Sequence, residues 1–241
     1  MTKFRIGDSN PRVDLSPKCS GQAKYVDDIK MDSMLYGSTV RSPIPRGKIL
    51  RIDLPDDLGE RGFTVVCAAD IPGENIVRIL NDDQPLLQSE RVNHAMEAIL
   101  LLAHADPEAL IKIKEEIHIE VEAEEAVLDL RSSMQSSLQI HRDGNLLKEI
   151  HIQKGAAFTH LDSAEVLVEA TLETPAQEQA YIETNGIIAW LEDDQICVRG
   201  SMQCPYYIHH ELCEIFARDE KGIRVVQDVT GGGFGGKEDY P

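Results

Sequence analysis

The chain has 241 residues, 42% of them apolar and 27% charged, enough apolar material for one large or two ordinary soluble domains. With 42 acidic against 24 basic side chains the formal net charge is −18, a field that repels phosphate backbones and anionic bilayers and so argues against nucleic acid or membrane as partner. The acidity is spread along the chain, the five cysteines form no C-x-x-C pair, and no apolar run is long enough to span a bilayer; buried thiols in a reducing, cytoplasmic setting are expected.

Residues 1–20, with Gly7, Pro11 and Pro17, are expected to form an extended arm. Strands are predicted at 35–40, 63–67 and 98–103, the last holding the longest apolar run. Asp106 followed by Pro107 offers an N-cap and a first-turn proline, so a helix is predicted over 107–117 with Leu110, Ile111 and Ile113 on its apolar face. His118, Ile119, Glu120, Val121 and Glu122 alternate with the period of a half-exposed strand. Together these elements define an α+β domain over 21–128. Residues 129–145, rich in serine, glutamine and charge and carrying the turn pair Asp143 and Gly144, are expected to be a linker. Strands resume at 165–173, 186–192 and 195–199. A helix over 205–217 starts on Pro205, and a strand over 223–229 runs into a glycine-rich loop. A domain seldom closes on such a loop behind a strand with an open edge. The second segment, 146–241, is therefore expected to be incomplete.

Five of the six residues from Gly231 to Gly236 are glycine, interrupted by Phe234. Glycine loses more backbone freedom on folding than any other residue, so a run of this kind is usually offset by a ligand that approaches the backbone or by turns with positive φ. Gly231, Gly233 and Gly236 formally match a dinucleotide fingerprint, and Gly231, Gly236 and Lys237 come within one residue of a P-loop. Both patterns need a following helix to receive the anion, and a P-loop needs serine or threonine where Glu238 stands. Nucleotide binding by this loop is an alternative, as is a purely structural role.

The string from Gly231 to Glu238 resembles the cofactor loop of the molybdenum hydroxylases, the xanthine dehydrogenase and aldehyde oxidase family. The resemblance extends upstream in the same order: Gly21 to Ile29, Leu35 to Ser42, Asp70 to Gly73, Gln84 to Leu87, Thr174 to Glu183 and Ser201 to Pro205. It covers 11–238. It implies an α/β hammerhead domain followed by an incomplete α/β molybdopterin-binding domain. It also implies hydroxylation of a nitrogen heterocycle, purines included, or an aldehyde, with water as oxygen source. Gln203 matches the glutamine that hydrogen-bonds the molybdenum centre, and Phe234 the residue whose backbone lies against that centre. Gly233 and Gly235 belong to the same cofactor-binding backbone. Glu238 matches a substrate-facing position in purine-oxidising members. Cys204 is expected to pack, since the family draws its sulfur ligands from the pterin; Lys237 is expected to pair with a carboxylate, and His94, His209 and His210 to be helix or strand residues and not metal ligands.

The family's catalytic base is a glutamate far toward the C-terminus of a much longer subunit, so no catalytic residue is assigned in this chain. Molybdopterin is the implied cofactor, with iron–sulfur clusters and FAD expected on partner modules only. A C-terminal molybdopterin-binding portion and iron–sulfur and flavin subunits are the implied partners. Without them the chain is expected to be inactive, and a truncated, non-catalytic hammerhead module with an interaction role is the second reading. Two departures lie inside the match: Gln179 stands where a histidine is common, and Met96 where a glycine often is.

Overall fold

The computed structural model describes residues 6–7, 9, 11–78, 81–141 and 144–238. These fall into two units, one formed by 1–125 together with 179–241 and one by 126–178.

The arm is not wholly extended. It contains a short helix, α1 (Leu15–Cys19), at whose start Asp14 Oδ2 lies 2.6 Å from Lys18 Nζ and 2.8 Å from Arg12. These local ion pairs offset the poor helix propensity of a segment that contains Pro17. Beyond it, β1 (Tyr36–Arg41), β2 (Gly47–Asp53), β3 (Thr64–Val66), β4 (Arg91–Val92) and β5 (Ala98–His104) precede α2 (Pro107–Glu116) and β6 (His118–Ala123). They build two three-stranded sheets, ordered β1-β5-β3 and β4-β2-β6, all pairs antiparallel.

β5 is the centre of the first sheet, which explains its unbroken apolar run: Ile99, Leu100 and Leu102 are all at or below 2% exposure. Leu101, within the same run, is 37% exposed, so one face of the strand is only partly covered. Asp106 caps α2 as its sequence predicts, its carboxylate accepting from Glu108 N at 2.9 Å. The helix places Leu110 and Ile113 against Val40, Leu58, Phe63 and Val92 in one core. Truncation of the fully buried Ile113 to alanine should cost about 2–5 kcal/mol. Arg61 reinforces the edge of this core, holding Glu116 through two 2.8 Å bonds.

Two features of this part are not evident from hydrophobic patterning. β2 has no counterpart among the predicted strands, because a register shift between Ile49 and Arg51 leaves Leu50 half-exposed and breaks the alternation. Met96 adopts φ +73, the left-handed region that glycine favours, in the connection leading into β5, where Arg41 donates to its carbonyl at 2.9 Å.

The later part of the same unit holds β7 (Ile187–Glu192), β8 (Gln195–Gly200), α5 (Pro205–Ile215) and β9 (Ile223–Gln227) in a sheet ordered β7-β8-β9. β7 and β8 are a hairpin whose turn, Asp193 and Asp194, has φ +48 and +66, the pair of positive values that a two-residue turn of the right twist requires. β8 and β9 are parallel, with α5 as the connection between them. Gly73 joins this sheet-and-helix part to the two antiparallel sheets: its N–H donates to Ile215 O at 2.9 Å and that of Glu74 to Glu214 O at 3.1 Å.

The unit formed by 126–178 contains α3 (Leu130–Gln135), capped by Asp129, and the single turn α4 (Ala157–Leu161). The strand expected at 165–173 is not formed: no ladder involves these residues, and Val166, Leu167, Val168 and Leu172 are 58–91% exposed. An alternating pattern yields a strand only where a neighbour accepts its hydrogen bonds, and here none does. Asp143, half of the expected turn pair, lies outside the described residues.

Candidate functional site

The glycine-rich loop follows β9 by way of Asp228, Val229 and Thr230. Its own backbone bonds are few: Gly236 N donates to Gly233 O at 2.8 Å and Glu238 N to Gly235 O at 3.3 Å. Gly232 (φ +106), Phe234 (φ +51) and Gly235 (φ +91) all turn through the positive region. Side chains therefore matter more than usual in holding the loop.

Gln203, between Met202 and the start of α5, is one of them. Its Oε1 accepts from Gly235 N at 3.1 Å and from Lys237 N at 3.3 Å, while its own backbone N–H donates to Lys237 O at 2.7 Å. Two N–H donors converging on one atom identify that atom as the amide oxygen. The opposite end, Nε2, has no partner among the described residues, and the side chain is exposed. Gly233 is buried directly beneath this amide: a Cβ there would collide with Oε1 and stand 2.9 Å from Cδ. Only glycine lets the loop and the glutamine come so close.

The other fastening is buried. Lys237 has 0% exposure, and its Nζ donates to Glu183 O at 2.6 Å, to Ser201 Oγ at 2.8 Å and to Glu183 Oε2 at 3.2 Å, while lying 4.8 Å from the centre of the Tyr181 ring. Those three acceptors match the three donors of an ammonium group. Glu183 Oε2 also accepts from Ser201 Oγ and from Gly231 N, both at 2.6 Å. Burial pushes the Glu183 carboxyl up, but the bonds from Ser201, Gly231 and Lys237 outweigh it and hold the group below the usual carboxylate range.

The expectation that Lys237 pairs with a carboxylate is met, and the carboxylate is Glu183. The structure brings Gln203, Gly233 and Gly235 together. Phe234 lies on the same loop with its ring 77% exposed, and Glu238 is exposed with no side-chain partner among the described residues. Cys204 begins α5 half-buried, His209 bonds Glu220 O at 3.1 Å and His94 bonds Ala95 O at 2.7 Å. No cluster of three or more histidine, cysteine, aspartate or glutamate side chains suited to a metal ion occurs among the described residues. Sequence reasoning gives no role to Glu183, Ser201 and Tyr181. Only the complete burial of Lys237 exposes their function, since a lysine that deep must have a fixed counter-charge.

Gly235 carries open space where a Cβ would be, next to a free amide donor and a solvent-facing run of backbone.

The family model described as molybdopterin cofactor-binding domain matches residues 139–241, and the model described as aldehyde oxidase and xanthine dehydrogenase, a/b hammerhead domain, matches 20–125. The chain is 31% identical over 234 residues to a probable xanthine dehydrogenase component of Bacillus subtilis, covering 96% of this chain and 31% of that protein. It is 29% identical to the nicotinate dehydrogenase large molybdopterin subunit of Eubacterium barkeri, covering 97% of this chain and 56% of that one. Quinoline 2-oxidoreductase from Pseudomonas putida 86 shares the fold, with a TM-score of 0.83 at 22% identity over 96% of this chain and 31% of that chain.

Fold and loop thus define a hammerhead protein with a cofactor-binding segment. The chain belongs to the molybdenum hydroxylases, the xanthine dehydrogenase and aldehyde oxidase family, and corresponds to a segment of their molybdopterin-binding subunit. It spans between about a third and about half of the length of the curated relatives named here. Molybdopterin is the cofactor of the matched domain, and iron–sulfur and flavin groups belong to other modules of the family. No helix among the described residues is long and apolar enough to cross a membrane.

Proposed function

We propose that this chain is the N-terminal portion of a cytoplasmic, molybdenum-dependent hydroxylase that oxidises a nitrogen heterocycle or an aldehyde with water as oxygen source. It divides at 21–128 into the hammerhead domain and from 146 onward into the molybdopterin-binding domain, with 129–145 between them. The observation that carries this reading is the Gln203 amide: its oxygen is taken by the loop and its Nε2 is left for a ligand.

Gln203 and the backbone of Gly233, Phe234 and Gly235 would hold the cofactor. Gln203 presents a neutral donor, which adds no charge and displaces no metal ligand. When bound, the cofactor supplies the electron acceptor for a two-electron oxidation. Glu238, solvent-facing at the loop's end, would orient substrate, accepting from ring N–H groups of a purine-like heterocycle. No residue of this chain is placed as the base that starts the reaction. A C-terminal molybdopterin-binding portion completes the site, and iron–sulfur and flavin subunits carry electrons away.

A second reading, a non-catalytic interaction module, draws on the apolar side chains exposed in 126–178. Elemental analysis of the protein purified from its native host separates the two. Molybdenum together with the C-terminal portion supports the hydroxylase. A protein free of molybdenum that still retains a partner supports the module.

A further inference from the structure

We infer that Glu183 is the positioning residue of the glycine-rich loop, fastening both of its ends so that the backbone of Gly233 to Gly235 is in place before any ligand arrives. The purpose of the arrangement rests on the cofactor reading given above, but the fastening itself does not.

Glu183 Oε2 takes the N–H of Gly231, where the loop begins, at 2.6 Å. The same oxygen and the Glu183 carbonyl take Nζ of Lys237, where the loop ends, at 3.2 and 2.6 Å. One residue thus spans a stretch that has almost no side chains of its own. Ser201, with 0% exposure, sets the rotamer: its hydroxyl donates to Oε2 at 2.6 Å and accepts from Lys237 at 2.8 Å. The space is tight enough to fix the geometry, since a Cβ on Gly231 would stand 2.6 Å from Glu183 Cβ and one on Gly236 would collide with the Tyr181 ring.

An ion pair kept only for stability would be replaceable. Exchanging a buried pair for apolar residues of similar volume is often neutral for folding. A leucine and a methionine could fill this volume, but neither could accept the Gly231 N–H. Stability and loop order should therefore separate.

The test is hydrogen exchange on the full chain, comparing the amides of Gly231 and Gly235 with those of β7, β8 and the hammerhead strands. In Glu183→Leu/Lys237→Met the strands should keep near-normal protection while the two loop amides exchange about 10-fold faster or more. Glu183→Gln keeps an acceptor for Gly231 but loses the charge toward Lys237, and should give a smaller, loop-confined increase in a folded protein. Should the double variant lose protection everywhere, the single variant decides. Loop amides that exchange at the wild-type rate in Glu183→Gln would overturn the inference, as would an increase shared equally by the strands. Absence of molybdenum from the native protein would sink the cofactor reading and leave this result standing.

Discussion

Arg199 and Asp228 face each other across the ends of β8 and β9, with Nε 2.9 Å from Oδ2 and a terminal guanidinium nitrogen 2.5 Å from Oδ1. The Asp228 side chain is only 9% exposed, and Asp228 N also donates to Gly200 O at 2.8 Å. This planar two-point pairing sets the direction in which the chain leaves the sheet for the glycine-rich loop. Asp228→Asn should cost about 1–2 kcal/mol in urea denaturation, since a two-point contact between opposite charges becomes a single bond from the guanidinium to a neutral amide oxygen. A loss below a few tenths would mean that the strands alone aim the loop.

Gln203→Glu discriminates between the two ends of the amide. A carboxylate still accepts from Gly235 and Lys237 but offers no donor. The folded protein should melt within a few degrees of wild type, whereas its molybdenum content, or its activity once partnered, should fall about 10-fold or more. Equal cofactor content in wild type and variant would show that Nε2 is not used.

Met96→Gly should stabilise. A non-glycine residue at φ +73 costs roughly 1–2 kcal/mol, of which the added unfolded-state entropy of glycine returns a part. A rise of a few degrees in Tm is expected. The Met96 side chain is 61% exposed, so little packing is lost with it.

Gly73→Ala should do the reverse. A Cβ at that position would run into the carbonyl of Glu214 and stand 2.9 Å from that of Ile215, both backbone atoms of the α5 terminus that cannot swing aside. A loss of about 1–3 kcal/mol is expected, together with faster hydrogen exchange at Gly73 and Glu74.

Acid should loosen the loop. A carboxyl held below its ordinary range, as Glu183 is, contributes stability that is complete above the unfolded value and is lost as pH falls through the depressed folded one. Proteolysis at Phe234 followed from neutral pH downward should therefore rise in the acid range. In Glu183→Gln that rise should be flattened. A pH-independent cleavage rate in the wild type would remove Glu183 from this account.

Much of this molecule is legible in its sequence because local signals and tertiary demands agree. The Asp106–Pro107 start of α2, the apolar run of β5 and the alternation of β6 reappear within one or two residues of their predicted bounds. β2 escapes because a bulge reverses its alternation, which a period-2 pattern cannot represent. The pattern of 165–173 misleads, since it states what a ladder would bury and not whether one is there. At the site, the loop and Gln203 are visible through their unusual composition and family resemblance. Glu183 and Ser201 are ordinary residues in ordinary contexts, and only the burial of Lys237 reveals their work.

The alternation of 165–173 also bears on self-association. Val166, Val168 and Leu172 stand solvent-facing in a segment without ladder neighbours, the composition that invites one copy of a chain to pair with another. Glu165, Glu169 and Glu173 interrupt it at every fourth position, and in a stacked, in-register pairing each would meet its own charge. Like-charge repulsion between these carboxylates therefore opposes the very pairing that the apolar residues beside them would favour.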